Sequence, residues 1–209
     1  GYQSRADGYN GDSAFTLAAG IQARTASGGL IAIGEIIGSG GSFALTSATN
    51  DRAIAIGPGA GASGYNALAL HGYALARGDY SLAIGTGSLV GGMGGSNTPN
   101  ISDGEYSISI GRSTSAVSDS TIAIGTSASA ININSIAIGL NAYSLDTNSI
   151  TIGNTAISYS GLAVGVLALS NAANAIAIGN ETSASGSGAA VSIGYDSLST
   201  GAGSIAFGY

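Results

Sequence analysis

The 209-residue chain has no cysteine, no tryptophan and no lysine. Without cysteine it has no disulfide framework, which suits an extracellular fibre stabilised by repetition. Charge is scarce, at 8% of residues against the usual quarter. Scarce charge often marks a membrane protein. Here glycine interrupts every Ile-x-Ile, so no apolar run approaches the ~20 residues of a spanning helix. Direct membrane insertion of this stretch is therefore not expected. Five arginines against eleven acids leave a net charge of -6, and a nucleic-acid partner would want a basic stripe instead. Disorder is excluded as well, because 44% of the residues are hydrophobic and they recur periodically. The stretch has no initiator methionine and no signal peptide, and reads as a mature or excised segment.

What the chain does have is 36 glycines in register. A pattern of apolar, small, apolar, Gly, cleanest at Ser135-Ile136-Ala137-Ile138-Gly139, ends at Gly34, Gly57, Gly85, Gly111, Gly125, Gly139, Gly153, Gly165, Gly179, Gly194 and Gly208, and once at His71. The commonest step is 14 residues, and two longer steps of 23 and 26 residues interrupt the series. A short fixed period signifies a solenoid. Alternation of two makes each half of a coil a short strand. Glycine turns the corner between them without a Cβ penalty. Polar residues such as Asp146-Thr147-Asn148 turn the other corner by bonding their own backbone.

Two side-chain columns precede the corner glycine. Positions -3 and -1 are large and apolar in every copy, as in Ile136 and Ile138, and are read as the interior. Positions +3 and +5 are small, as in Ala128/Ala130 and Ala142/Ser144, and are read as the facing wall, large packing against small. The residue between the two large ones is then outward. It is Ala32, Ala55, Ala69, Ala83, Ser109, Ala123, Ala137, Thr151, Ala163, Ala177, Ser192 or Ala206. A solvated face should carry charge or long polar chains, so this stripe is expected to be an interface with further copies of the chain. The +4 positions, among them Leu75, Leu89, Tyr143, Ile157, Leu169 and Leu198, are also expected to face outward.

The chain reads as one β-roll repeat domain over 1–209, with insertions near 35–52 and 91–105. Both ends break in mid-coil, which suggests a piece of a longer repetitive chain. Candidate chemistry is sparse. Arg77-Gly78-Asp79 spells an integrin-type tripeptide, yet its glycine falls at an ordinary turn. His71 is the single histidine, a poor metal or catalytic candidate without cysteine or a neighbouring acid. Asp103 and Glu105 are paired carboxylates, the kind that cleave glycosides, but no aromatic cleft residues gather beside them. No enzyme activity, cofactor or metal is expected. Binding is expected where the chain departs from its repeat, with Asn97, Thr98, Asp103, Glu105, Arg77 and Asp79 as candidate receptor contacts.

Ser-Ile-Ala-Ile-Gly followed by x-x-Ala-x-Ser/Ala at 14-residue spacing resembles the head repeats of trimeric autotransporter adhesins (YadA-like heads). The same repeat occurs in bacteriophage tail and tip fibres. The resemblance covers roughly residues 28–209. It implies a left-handed parallel β-roll, a homotrimer around a common axis, and attachment to a host receptor, matrix protein or surface glycan. The place implied is extracellular, on a bacterial surface or in a virion fibre. A spacer with no ligand of its own is the competing reading. The sequence carries no neck motif, coiled-coil heptad or C-terminal barrel, so the resemblance does not decide between adhesin and phage fibre.

Overall fold

A computed structural model describes residues 5–6, 17–19, 24–25, 30–34, 47–49, 52–86, 100–186 and 188–208. The chain divides into two compact units, Gly1–Thr114 and Ser115–Tyr209. Each is a parallel β-solenoid with two strands per rung, and no helix occurs among the described residues.

In the first unit one sheet stacks Leu17–Ala19, Ile31–Ile33, Ile54–Ile56, Leu68–Leu70, Leu82–Ile84 and Ile108–Ile110. Its companion stacks Arg5–Ala6, Arg24–Thr25, Ser47–Ala48, Gly61–Ala62, Ala74–Ala76 and Asn100–Ser102. In the second unit the first kind of strand runs from Ile122–Ile124 through Ile136–Ile138 to Ile205–Phe207, and the second from Ser115–Ala116 through Tyr143–Ser144 to Leu198–Ser199. The first kind forms the isoleucine sheet, the second the alanine sheet. Register is uniform: Ile136 pairs with Ile122 and Ile150, and Ala137 with Ala123 and Thr151.

The inside of the roll is the reverse of the expected one. Ala32, Ala55, Ala69, Ala83, Ser109, Ala123, Ala137, Thr151, Ala163, Ala177 and Ser192 are fully buried, each 0% exposed. Ala206 in the last described rung is half-buried. These residues, expected at an interface between chains, fill the roll itself. The large residues at -3 and -1 point out, as Ile33, Ile56 and Ile152 show at 37–39% exposure. The facing wall is small and buried as expected, with Ala60, Ala62, Ala74, Ala76, Ala128, Ala130, Ala142 and Ser144 at 0–1%. The physical reason is the shortness of the rung. Strands of two to four residues joined by tight corners hold the sheets too close for isoleucine between them. Small packs against small, and the isoleucines go outside. Of the +4 residues, Tyr143 and Leu198 are exposed and Leu75, Ile157 and Leu169 half-buried; Leu89 lies outside the described residues.

Hydroxyls share the interior. Ser144 Oγ meets Ser149 Oγ at 2.6 Å and Ser102 Oγ meets Ser107 Oγ at 2.6 Å across the roll. In neighbouring rungs the opposing residue is alanine, and the buried hydroxyls of Ser81 and Ser135 have no partner among the described residues. Removing one member of a buried hydrogen-bonded pair costs about 1 kcal/mol, whereas removing an unpartnered hydroxyl does not. Ser149→Ala therefore lowers the thermal midpoint and Ser135→Ala leaves it unchanged or raises it, as a calorimetric melt of the two variants reads.

Corners stack as closely as strands. Gly139 has φ +135°, and a Cβ built on it would lie 2.2 Å from the carbonyl oxygen of Gly153 one rung on. Two residues later Asn141 takes a left-handed φ of 52°, and Asn148 takes 60° at the opposite corner. Asparagine tolerates this conformation better than other side chains. The register also locates the insertions. Ile33 pairs with Ile56 and Ser47 with Gly61, so the surplus of the 23-residue step falls between Gly34 and Ser47. Asn100 pairs with Ala74, so the surplus of the 26-residue step falls between Thr86 and Asn100. Both surpluses follow an isoleucine strand in sequence. The second ends earlier than the sequence suggests, because Asn100–Ser102 is a regular strand and Asp103–Glu105 open the next corner.

Candidate functional surface

Two surfaces stand out, one apolar and one polar. The apolar one is the outer face of the isoleucine sheet. In the second unit it carries Ile122, Ile136, Ile150, Leu162, Ile176 and Val191 in one column, and Ile124, Ile138, Ile152, Val164, Ile178 and Ile193 in the other. In the first unit Ile54, Leu68, Leu82 and Ile108 run beside Ile56, Leu70, Ile84 and Ile110. Each side chain stacks on the rungs above and below, which leaves most of them half-buried. No charged residue interrupts either column. A contiguous apolar stripe of this length marks a site of association.

The polar surface lies on the opposite corner of the first unit, where register aligns residues 63–66, 77–80 and 103–106. It holds most of the receptor contacts expected from sequence. Arg77 Nη1 meets Asp103 Oδ1 at 3.5 Å, with the side chains 50% and 33% exposed. The Tyr65 N–H donates to Asp79 Oδ1 at 2.8 Å, tying one rung to the next. Glu105 is exposed. Asn97 and Thr98 lie outside the described residues. Arg77-Gly78-Asp79 is not a projecting loop. The Arg77 and Gly78 N–H groups both donate to the Ser102 carbonyl, at 2.8 and 3.2 Å. A Cβ on Gly78 would lie 2.1 Å from the Gly104 oxygen.

The repeat of the YadA head domain matches residues 48–70, 72–88, 102–128, 130–156, 156–182 and 184–209, the greater part of the chain. The chain belongs to the YadA head repeat family. A comparison with curated protein sequences gave no match. The YadA head repeats thus span rungs of both units.

One side-chain cluster escapes a sequence reading. Tyr65, Tyr80 and Tyr106 form an aromatic ladder on this corner. Tyr65 and Tyr80 meet edge to face at 5.8 Å between centroids. Tyr80 and Tyr106 stack at 5.1 Å and 9°. Arg52 tops the ladder, with Cζ 5.8 Å from the Tyr65 centroid and Nη1 donating to the Tyr65 hydroxyl at 3.1 Å. The signal was present but displaced: Tyr80 and Tyr106 occupy the same rung position, separated by the longer 26-residue step.

The remaining candidates are unremarkable chemically. His71 is exposed at φ 88°, and its Nδ1 accepts the Gly72 N–H at 2.9 Å. Among the described residues no group of three or more His, Cys, Asp or Glu gathers to hold a metal, and no helix is long and apolar enough to cross a membrane.

Proposed function

We propose that the chain is the attachment region of a homotrimeric, extracellular adhesin fibre without enzymatic activity. Three left-handed rolls pack through the outer faces of their isoleucine sheets around a common axis, and the alanine sheets and corners face outward to a surface receptor. The observation that carries this reading is the pair of uncharged apolar columns along the isoleucine sheet. A monomer would expose them to water at every rung, while a trimer covers them together. Family membership supports both the trimer and the attachment role. The place is extracellular, on a bacterial surface or in a virion fibre.

Receptor contacts are assigned to what departs from the repeat. These are the two insertions and the corner with Arg77, Asp79, Asp103 and Glu105. The reading is tested by deleting residues 35–46 and 87–99 together and measuring attachment to cell and matrix-coated surfaces. Attachment is expected to fall with the oligomer intact. Unchanged attachment would assign binding elsewhere, and a wild type that attaches to nothing would make the region a spacer.

A further inference from the structure

We propose that the tyrosine ladder of the first unit is a binding site for arginine side chains on an extended basic segment of a partner protein. The inference rests on the reading of the chain as an attachment surface and names the chemistry it recognises. Four observations lead to it.

The first is that the chain already demonstrates the interaction. Arg52 lies against Tyr65 through both its ring and its hydroxyl. A guanidinium over an aromatic face is a favourable pairing, and arginine makes it more often than lysine. The second is that the rest of the ladder is open. Tyr80 is 50% and Tyr106 60% exposed, which leaves ring surface accessible to a partner.

The third is where these residues sit. Arg52, Asn66, Tyr80 and Tyr106 share one corner column, and all four hold left-handed φ values between 54° and 58°. Asn66 suits that conformation. Rung geometry imposes that conformation at other corners too, on Tyr73 and Leu167 among others, and here it fixes the tyrosines in one column on successive rungs. The fourth is charge. Asp79 lies on the Tyr80 rung and Asp103 and Glu105 on the Tyr106 rung, where Asp103 already takes the Arg77 guanidinium, in a chain of net charge -6. Carboxylates beside an aromatic face complete the recognition of a guanidinium, through charge-assisted hydrogen bonds at its edge. A partner presenting arginines along an extended backbone could engage successive rungs, since the rungs repeat at ~4.8 Å.

The test is fluorescence anisotropy of a labelled oligo-arginine peptide, titrated with the full chain at physiological salt, beside an oligo-lysine peptide of equal length. The double variant Tyr80→Asn/Tyr106→Asn keeps the net charge and introduces the residue that Asn66 already places in this column, so its rungs should form. Unchanged circular dichroism and mass check this. The wild type is expected to prefer arginine over lysine, and the variant to lose about tenfold or more in affinity for oligo-arginine. Equal affinity of wild type and variant would overturn the site, because attraction to net charge alone survives in both. Neutral oligosaccharides that bind the wild type and not the variant, with no arginine binding, would overturn it in favour of a sugar site. Attachment of the wild type to cell or matrix surfaces without oligo-arginine binding would overturn the ladder alone. A wild type inert in both assays would overturn the attachment reading as well.

Discussion

Ala137→Leu is expected to unfold the second unit, whereas the double change Ile136→Thr/Ile138→Thr is expected to leave the roll folded and to abolish the proposed trimer. Ala137 is fully buried between the sheets. Forcing extra methylenes into such a core costs about 3 kcal/mol or more, and the short corners give the sheets no freedom to separate. Ile136 and Ile138 lie on the outer face of the same strand. Threonine keeps the β-branched shape that strands favour while removing the apolar stripe. Circular dichroism melts and light scattering on the two variants read the two effects separately. The opposite pattern, with a tolerated leucine and an unfolding threonine pair, would restore the arrangement in which isoleucine fills the interior.

Gly139→Ala is expected to be comparably damaging for a different reason. The position combines φ +135° with a Cβ that would lie 2.2 Å from the Gly153 carbonyl oxygen. Neither rung can move aside, because the Gly139 N–H already donates to the Ile124 carbonyl at 2.8 Å and the Gly153 N–H to that of Ile138 at 2.8 Å. Strain and overlap together cost about 3 kcal/mol or more. Gly203→Ala is the control. There φ is +64° and nothing lies within 4 Å of the added carbon, so only the conformational penalty of ~1 kcal/mol remains. Equal losses in thermal midpoint for both substitutions would show that stacking at the corner contributes nothing.

Much of this architecture is legible in the sequence, and what is not has a physical cause. The period gives the rung. The glycine ending each Ile-Ala-Ile gives the corner, and the small pair after it gives the second wall; Ala128 and Ala130 are buried as read. The direction of the isoleucine strand does not follow. Alternation of two separates a strand into two faces without saying which is inside. The preference of large apolar residues for the interior then misleads, since it holds only where the interior has room. Ala137 is inside because isoleucine does not fit, and Ile138 is outside in the single chain. Low charge on one whole face is the clue that both arrangements share, and it points to association whichever residue carries it.

The tyrosine ladder illustrates a different obstacle. Tyr80 and Tyr106 come into contact only once the extra residues between Thr86 and Asn100 are set aside, which the strand register does. Asp103 and Glu105 are recognisable in the sequence as an acidic pair. The structure gives Asp103 to Arg77 and leaves Glu105 exposed. The proposed binding surface is therefore assembled from corner residues that look incidental one rung at a time.

The most direct test of the central claim is the solution mass of the 209-residue chain by light scattering or sedimentation equilibrium. Burial of the isoleucine columns between three rolls predicts a single species of three times 20.0 kDa. A folded, monodisperse species of 20.0 kDa would contradict it, leaving those columns exposed to water and the proposed trimer without its interface.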